Sequence, residues 1–105
     1  MAWFYLLIAG VLEVVWAFAM KESQGFSRLT PSIITLVTMI GSFWLLALAM
    51  RSLPLGTAYP IWTGIGAVGA FIAGIIWLAE PVNAMRIVAA CLILSGLVLM
   101  KVASP

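Results

Sequence analysis

The sequence predicts an all-α membrane protein built from four transmembrane helices, and three observations carry that prediction. Hydrophobic residues make up 66% of the 105 positions and charged residues only 8%, against about 25% charged in soluble domains. Mean hydropathy is +1.26, so water is excluded as the solvent for this chain. Finally, the apolar residues fall into four runs of roughly 17–25 residues, the length that a hydrocarbon core of about 30 Å requires. Little is left between the runs, so residues 1–105 read as a single transmembrane domain with helices at about 2–20, 31–50, 55–79 and 84–101.

The first run, Ala2–Met20, is read as a retained helix and not a cleaved leader. No Lys or Arg precedes it, Glu13 interrupts it, and further spans follow. Trp3, Phe4 and Tyr5 cluster at its start as interfacial anchors. Apart from the Tyr5 phenol, Glu13 is its only ionisable side chain. A carboxylate at such depth is costly enough to mark a functional site. At about 100° per residue, Leu6, Ala9, Gly10, Glu13, Trp16, Ala17 and Met20 share one face. Ala9, Gly10 and Ala17 leave space beside the carboxylate, while Trp16 brings an indole N–H and an aromatic face one turn on.

Lys21-Glu22-Ser23-Gln24-Gly25 punctuates the chain, with Gly25 expected to stop the first helix. Thr30-Pro31 reads as N-cap and first helical position of the second. That helix carries a stripe of Thr35, Thr38 and Ser42, with Ser42 about as deep as Glu13. For Thr35 and Thr38, hydrogen bonding back to the preceding turn and lining of a polar site are equally good readings; for Ser42 the site reading is preferred.

Arg51-Ser52-Leu53-Pro54 separates the second helix from the third. Along the third helix Gly66, Ala70 and Gly74 recur every four residues, with Gly69 and Ala73 beside them. Such spacing permits close helix packing, or a contact that moves. Tyr59, Trp62, Thr63, Gly66 and Ala70 are expected on one face as a lined cavity, and Trp77 anchors the far end. Glu80-Pro81 closes the helix. Asn83 is a candidate N-cap for the fourth, which offers a weaker small-residue pair in Ser95-Gly96 and ends near Lys101.

Four spans place Arg51 and Lys101 on one side and Lys21, Arg28 and Arg86 on the other. So slight a positive-inside bias is compatible with insertion in both orientations and antiparallel pairing, although the count does not exclude a monomer with one weakly specified topology. The five scattered basic residues form no nucleic-acid patch. With no His and one Cys, neither a disulfide nor a His/Cys metal site forms within the chain, and Cys91 reads as a small buried hydrophobe. No nucleophile–base pair or phosphate-binding loop is present, so catalysis, and with it a cofactor, is not expected.

The remaining inventory fits cation exchange. A proton and a cation each neutralise Glu13, so they compete for it. If access alternates between the two sides, that competition couples their movements. Trp16 and Trp62 offer ring faces to a cation, while Ser42 and the Tyr59 hydroxyl can orient the carboxylate or accept hydrogen bonds from a substrate.

Four stretches carry a resemblance: Leu12-Glu13-Val14-Val15-Trp16-Ala17, Ser23-Gln24-Gly25-Phe26-Ser27-Arg28-Leu29, Pro31-Ser32, and Gly56-Thr57-Ala58-Tyr59-Pro60-Ile61-Trp62-Thr63-Gly64-Ile65-Gly66. Across its length the sequence resembles the small multidrug resistance family. Within that family, Glu13-Val14-Val15-Trp16 and Trp62-Thr63-Gly64-Ile65-Gly66 resemble the guanidinium-exporting subtype. The resemblance implies an antiparallel, dual-topology homodimer in the bacterial inner membrane that exchanges protons for guanidinium or related guanidinyl cations. It implies Glu13 of both subunits as the shared site for proton and substrate, with Trp16, Ser42, Tyr59 and Trp62 in support. It also implies conformational change around Gly64 and Gly66, with the fourth helix as main dimer contact.

The resembled subtype usually has Ala where this chain has Pro60. A helix starting at Thr57 would hold Pro60 harmlessly in its first turn. One starting at Pro54 would lose the bond to Gly56 and kink beside Tyr59 and Trp62. The earlier start is favoured, since it keeps Tyr59 at depth, and the kink would admit guanidinium compounds with apolar tails or small quaternary ammonium ions. Two further readings remain: a broader exporter of quaternary ammonium or lipophilic cations, and a non-transporting membrane subunit whose Glu13 serves one partner salt bridge.

Overall fold

The computed structural model describes residues 1–103, in four helices: α1 (Ala2–Glu22), α2 (Leu29–Ala49), α3 (Leu55–Leu78) and α4 (Ala84–Ala103). All four are long and apolar enough to cross a membrane, and the chain is a multi-pass membrane protein. They lie side by side in a slab only 16 Å thick by its Cα atoms. Its order across is α2, α1, α3, α4, because α1 packs on both α2 and α3, those two scarcely meet, and α4 packs on α3, touching α1 where Lys101 Nζ lies over the Trp3 ring at 4.8 Å.

The tightest packing lies where the start of α1 and of α3 meets the end of α2. Leu6, Ala9, Leu46, Ala49, Ala58, Ile61 and Trp62 are buried together there. Small residues permit the close approach, and the bulk of Trp62 and Leu6 fills what they leave. Helix α4 buries none of its residues, and Leu92, Val98, Leu99 and Val102 lie open along it.

The connections depart from the sequence expectations in instructive ways. Helix α2 begins two residues before Pro31, with Arg28 and not Thr30 as N-cap and no side-chain cap. Pro31 is tolerated there because first-turn amides have no intrahelical acceptor to lose. Helix α1 runs to Glu22, and Gly25 sits beyond it in a turn where Gln24, Gly25 and Phe26 all have positive φ. The buried Ser23 holds that turn: its hydroxyl donates to the Met20 carbonyl (2.6 Å) and accepts from the Phe26 amide (3.0 Å). Asn83 does cap α4, its Oδ1 accepting the Arg86 amide at 2.9 Å. Helix α3 starts after Pro54, whose carbonyl accepts the Thr57 and Ala58 amides. Pro60 therefore lies inside α3 and has no N–H to give the Gly56 carbonyl one turn back.

Candidate functional site

Glu13 sits at mid-length of α1 and turns towards α3. Its carboxylate rests against the backbone of Gly66, where a Cβ would occupy the place of the glutamate's own oxygen. Gly66 is thus the seat of the carboxylate. One turn further along the same seam, Gly69 receives Val14. Gly64, two residues before Gly66, faces the other way and packs under Leu97 of α4. The Gly64-Ile65-Gly66 segment therefore carries a contact with α4 on one side and with Glu13 on the other.

A second cluster knits three helices. The fully buried Ser42 hydroxyl of α2 donates to the Ala9 carbonyl of α1 at 2.6 Å and accepts the Trp62 indole N–H of α3 at 2.9 Å. Trp62 stacks at a tilt on Tyr59, centroids 5.7 Å apart, and meets Phe43 edge-on at 5.5 Å. Phe43 in turn meets Trp16 at 6.3 Å. The result is a continuous aromatic wall, Tyr59–Trp62–Phe43–Trp16, starting half exposed at Tyr59.

Of the four supporting residues read from the sequence, Trp16, Tyr59 and Trp62 are thus brought into one wall, joined by a residue that the sequence reading missed, and Ser42 is tied to it through the Trp62 indole. Phe43 lies about 100° round α2 from Ser42, off the Thr35–Ser42 stripe, and only the rotation of α2 against α1 reveals it. Thr35 and Thr38 bond back to the carbonyls of Pro31 and Ile34 at 2.8 and 2.6 Å, which places them in the backbone and not in the site. Thr63 is exposed while Trp62 is buried, so the expected Tyr59–Trp62–Thr63 lining is divided between two environments.

Two buried polar atoms of the site have no hydrogen-bond partner among the described residues: Glu13 Oε1 and Trp16 Nε1. One is an acceptor and the other a donor, one turn apart on α1. A buried polar group without a partner is costly. Of the other two acidic residues, Glu22 pairs with Arg28 at 3.9 Å at the end of α1, and Glu80 lies past the end of α3. No group of three His, Cys, Asp or Glu able to hold a metal ion occurs among the described residues.

Comparison with known proteins gives a consistent picture. The family model described as Small Multidrug Resistance protein matches residues 1–93. The chain is 61% identical over 104 residues to a protein of Yersinia pestis named Guanidinium exporter, spanning 99% of this chain and 100% of that one. It is 57% identical to the Guanidinium exporter of Escherichia coli strain K12 and 54% identical to that of Citrobacter freundii, in each case over 99% of both chains.

Proposed function

Since the chain belongs to the small multidrug resistance family, we propose that it is a bacterial inner-membrane antiporter exporting guanidinium and related guanidinyl cations in exchange for protons. The observation that carries this reading is the membrane-embedded Glu13 carboxylate, seated on Gly66 with one oxygen unpartnered, on the helix that one turn on sends Trp16 into an aromatic wall. A planar guanidinium forks onto a carboxylate through paired N–H donors and lies flat against aromatic faces. A proton on the same carboxylate removes the charge that holds the cation, so the two take turns. The relatives named Guanidinium exporter supply the substrate class.

Alternating access follows in this reading from an antiparallel homodimer with dual topology. A slab one helix thick encloses nothing by itself, and a second copy supplies the opposite wall and a second Glu13, so that two protons, one from each carboxylate, exchange for one guanidinium and each cycle moves one net charge. Helix α4, with no residue buried in the single chain, is the natural contact. Gly64 and Gly66, each under a different neighbour, are where α3 adjusts as the site changes side.

The test is guanidinium-evoked current from protein reconstituted in liposomes. The reading requires a saturable current in the unsubstituted protein and none in Glu13→Gln; full transport by Glu13→Gln defeats it.

One observation favours a wider substrate range. Pro60 interrupts the hydrogen bonding of α3 beside Tyr59, and Tyr59 is 51% exposed. A loosened turn there leaves room for an apolar substituent on the cation. Pro60→Ala should then lower transport of tailed guanidinium or quaternary ammonium compounds relative to guanidinium itself. An unchanged ratio removes Pro60 from selectivity.

A further inference from the structure

At the end of α3 the chain reverses through Ala79, which adopts φ 53°, and the Glu80 amide bonds back to the Gly74 carbonyl at 3.1 Å. This fold-back lays the Glu80 side chain along α3 until its carboxylate rests on Gly74, where a Cβ would displace it. The arrangement repeats that of Glu13 on Gly66. Gly66, Ala70 and Gly74 form one row of α3, and Glu13, Ala17 and Lys21 the facing row of the parallel α1. The two carboxylates therefore occupy one seam, about 12 Å apart along it at 1.5 Å per residue. Between them lies a recess of about 190 Å³ lined by Ala17, Lys21, Ala70, Gly74 and Glu80 among others. It runs from the helix ends to within one turn of Glu13.

The placement of Glu80 is electrostatically odd for a structural group. The C-terminal end of a helix carries partial negative charge from its unpaired carbonyls, and favours cations over carboxylates. Neither Lys21, which lines this recess, nor Arg86, which lines the one on the far side of Glu80 between α3 and α4, pairs with it; the ion pair found among the described residues is Arg28–Glu22. A carboxylate and a helix terminus thus add their negative fields at the mouth of a seam that leads to Glu13.

We propose that Glu80 is a second cation-binding carboxylate, an outer station that holds guanidinium at the mouth of the α1–α3 seam before it reaches Glu13. The proposal rests on the transport reading above and deepens it. Lys21 and Arg86 line the recesses on either side of Glu80, so a guanidinium binds there against two like charges, which makes the station a weak one. An antiparallel pair presents one such mouth to each side of the membrane.

Guanidinium current in proteoliposomes, measured against guanidinium concentration, tests this. Glu80→Gln should raise KM about three- to fivefold, the value of a partly exposed ion contact, while maximal current is kept and the difference shrinks as ionic strength rises. Glu80→Asp should restore most of the affinity. Gly74→Ala, whose Cβ evicts the carboxylate and leaves its charge in place, should reproduce the Gln effect. An unchanged KM in Glu80→Gln, or a fall in maximal current with KM unaltered, overturns the station. Absence of current from the unsubstituted protein overturns the transport reading and the station with it.

Discussion

At Ser42 one hydroxyl serves two helices at once, donating to α1 and accepting from Trp62 of α3. Removing it leaves the Trp62 indole N–H buried without an acceptor, which costs about 1–3 kcal/mol and frees the ring to turn. Ser42→Ala should therefore lower thermal stability and weaken guanidinium affinity together, as read from melting and from concentration-dependent current. Thr35→Val is the control. Its hydroxyl is equally buried but only returns to the Pro31 carbonyl, so the substitution should cost less than about 1 kcal/mol and leave transport alone. Gly66→Ala tests the seat of Glu13 more severely. The added methyl must push the carboxylate off α3, and a displacement of about 1 Å in a binding group lowers turnover on the order of a hundredfold; a variant with wild-type current would show that the seat is not needed. From sequence Glu13 was legible because its charge stands alone in an apolar run. Its seat was not, because contact between α1 and α3 depends on the rotation of both helices.

Among the elements, α4 is the one whose role a single chain leaves open. Nothing lies within 4 Å of a Cβ built on Gly96, although small residues at that spacing serve close helix approach. If a second copy covers this face, Gly96→Leu should reduce the yield of cross-linked dimer while the helix itself still forms; an unchanged yield would move the contact elsewhere on α4. The four helices were legible from hydropathy, which depends on length and composition alone. Their ends were legible where a side chain caps, as at Asn83, and misread where the backbone does the work. Thr30-Pro31 looks like a helix start, yet the turn held by Ser23 delivers the chain already helical at Leu29. The positive φ of Gln24 and Phe26 has no signature in residue type, since only Gly25 of the three favours it.

For the whole molecule, the slab and the charge balance point the same way. A single layer of helices 16 Å thick leaves Glu13 without a second wall, and the nearly even distribution of Lys and Arg permits both orientations. In a Cys91→Ala background, a cysteine placed at Ser52 should react with a membrane-impermeant maleimide from both sides of the membrane; labelling from one side alone would contradict dual topology.

The central claim is that proton and guanidinium exchange at Glu13, and luminal pH in proteoliposomes carrying a trapped pH-sensitive dye tests it most directly. With no initial pH difference, guanidinium added outside should alkalinise the lumen as the cation enters and protons leave, and Glu13→Gln should abolish the response. Guanidinium uptake with no luminal pH change, or an undiminished change in Glu13→Gln, would contradict it.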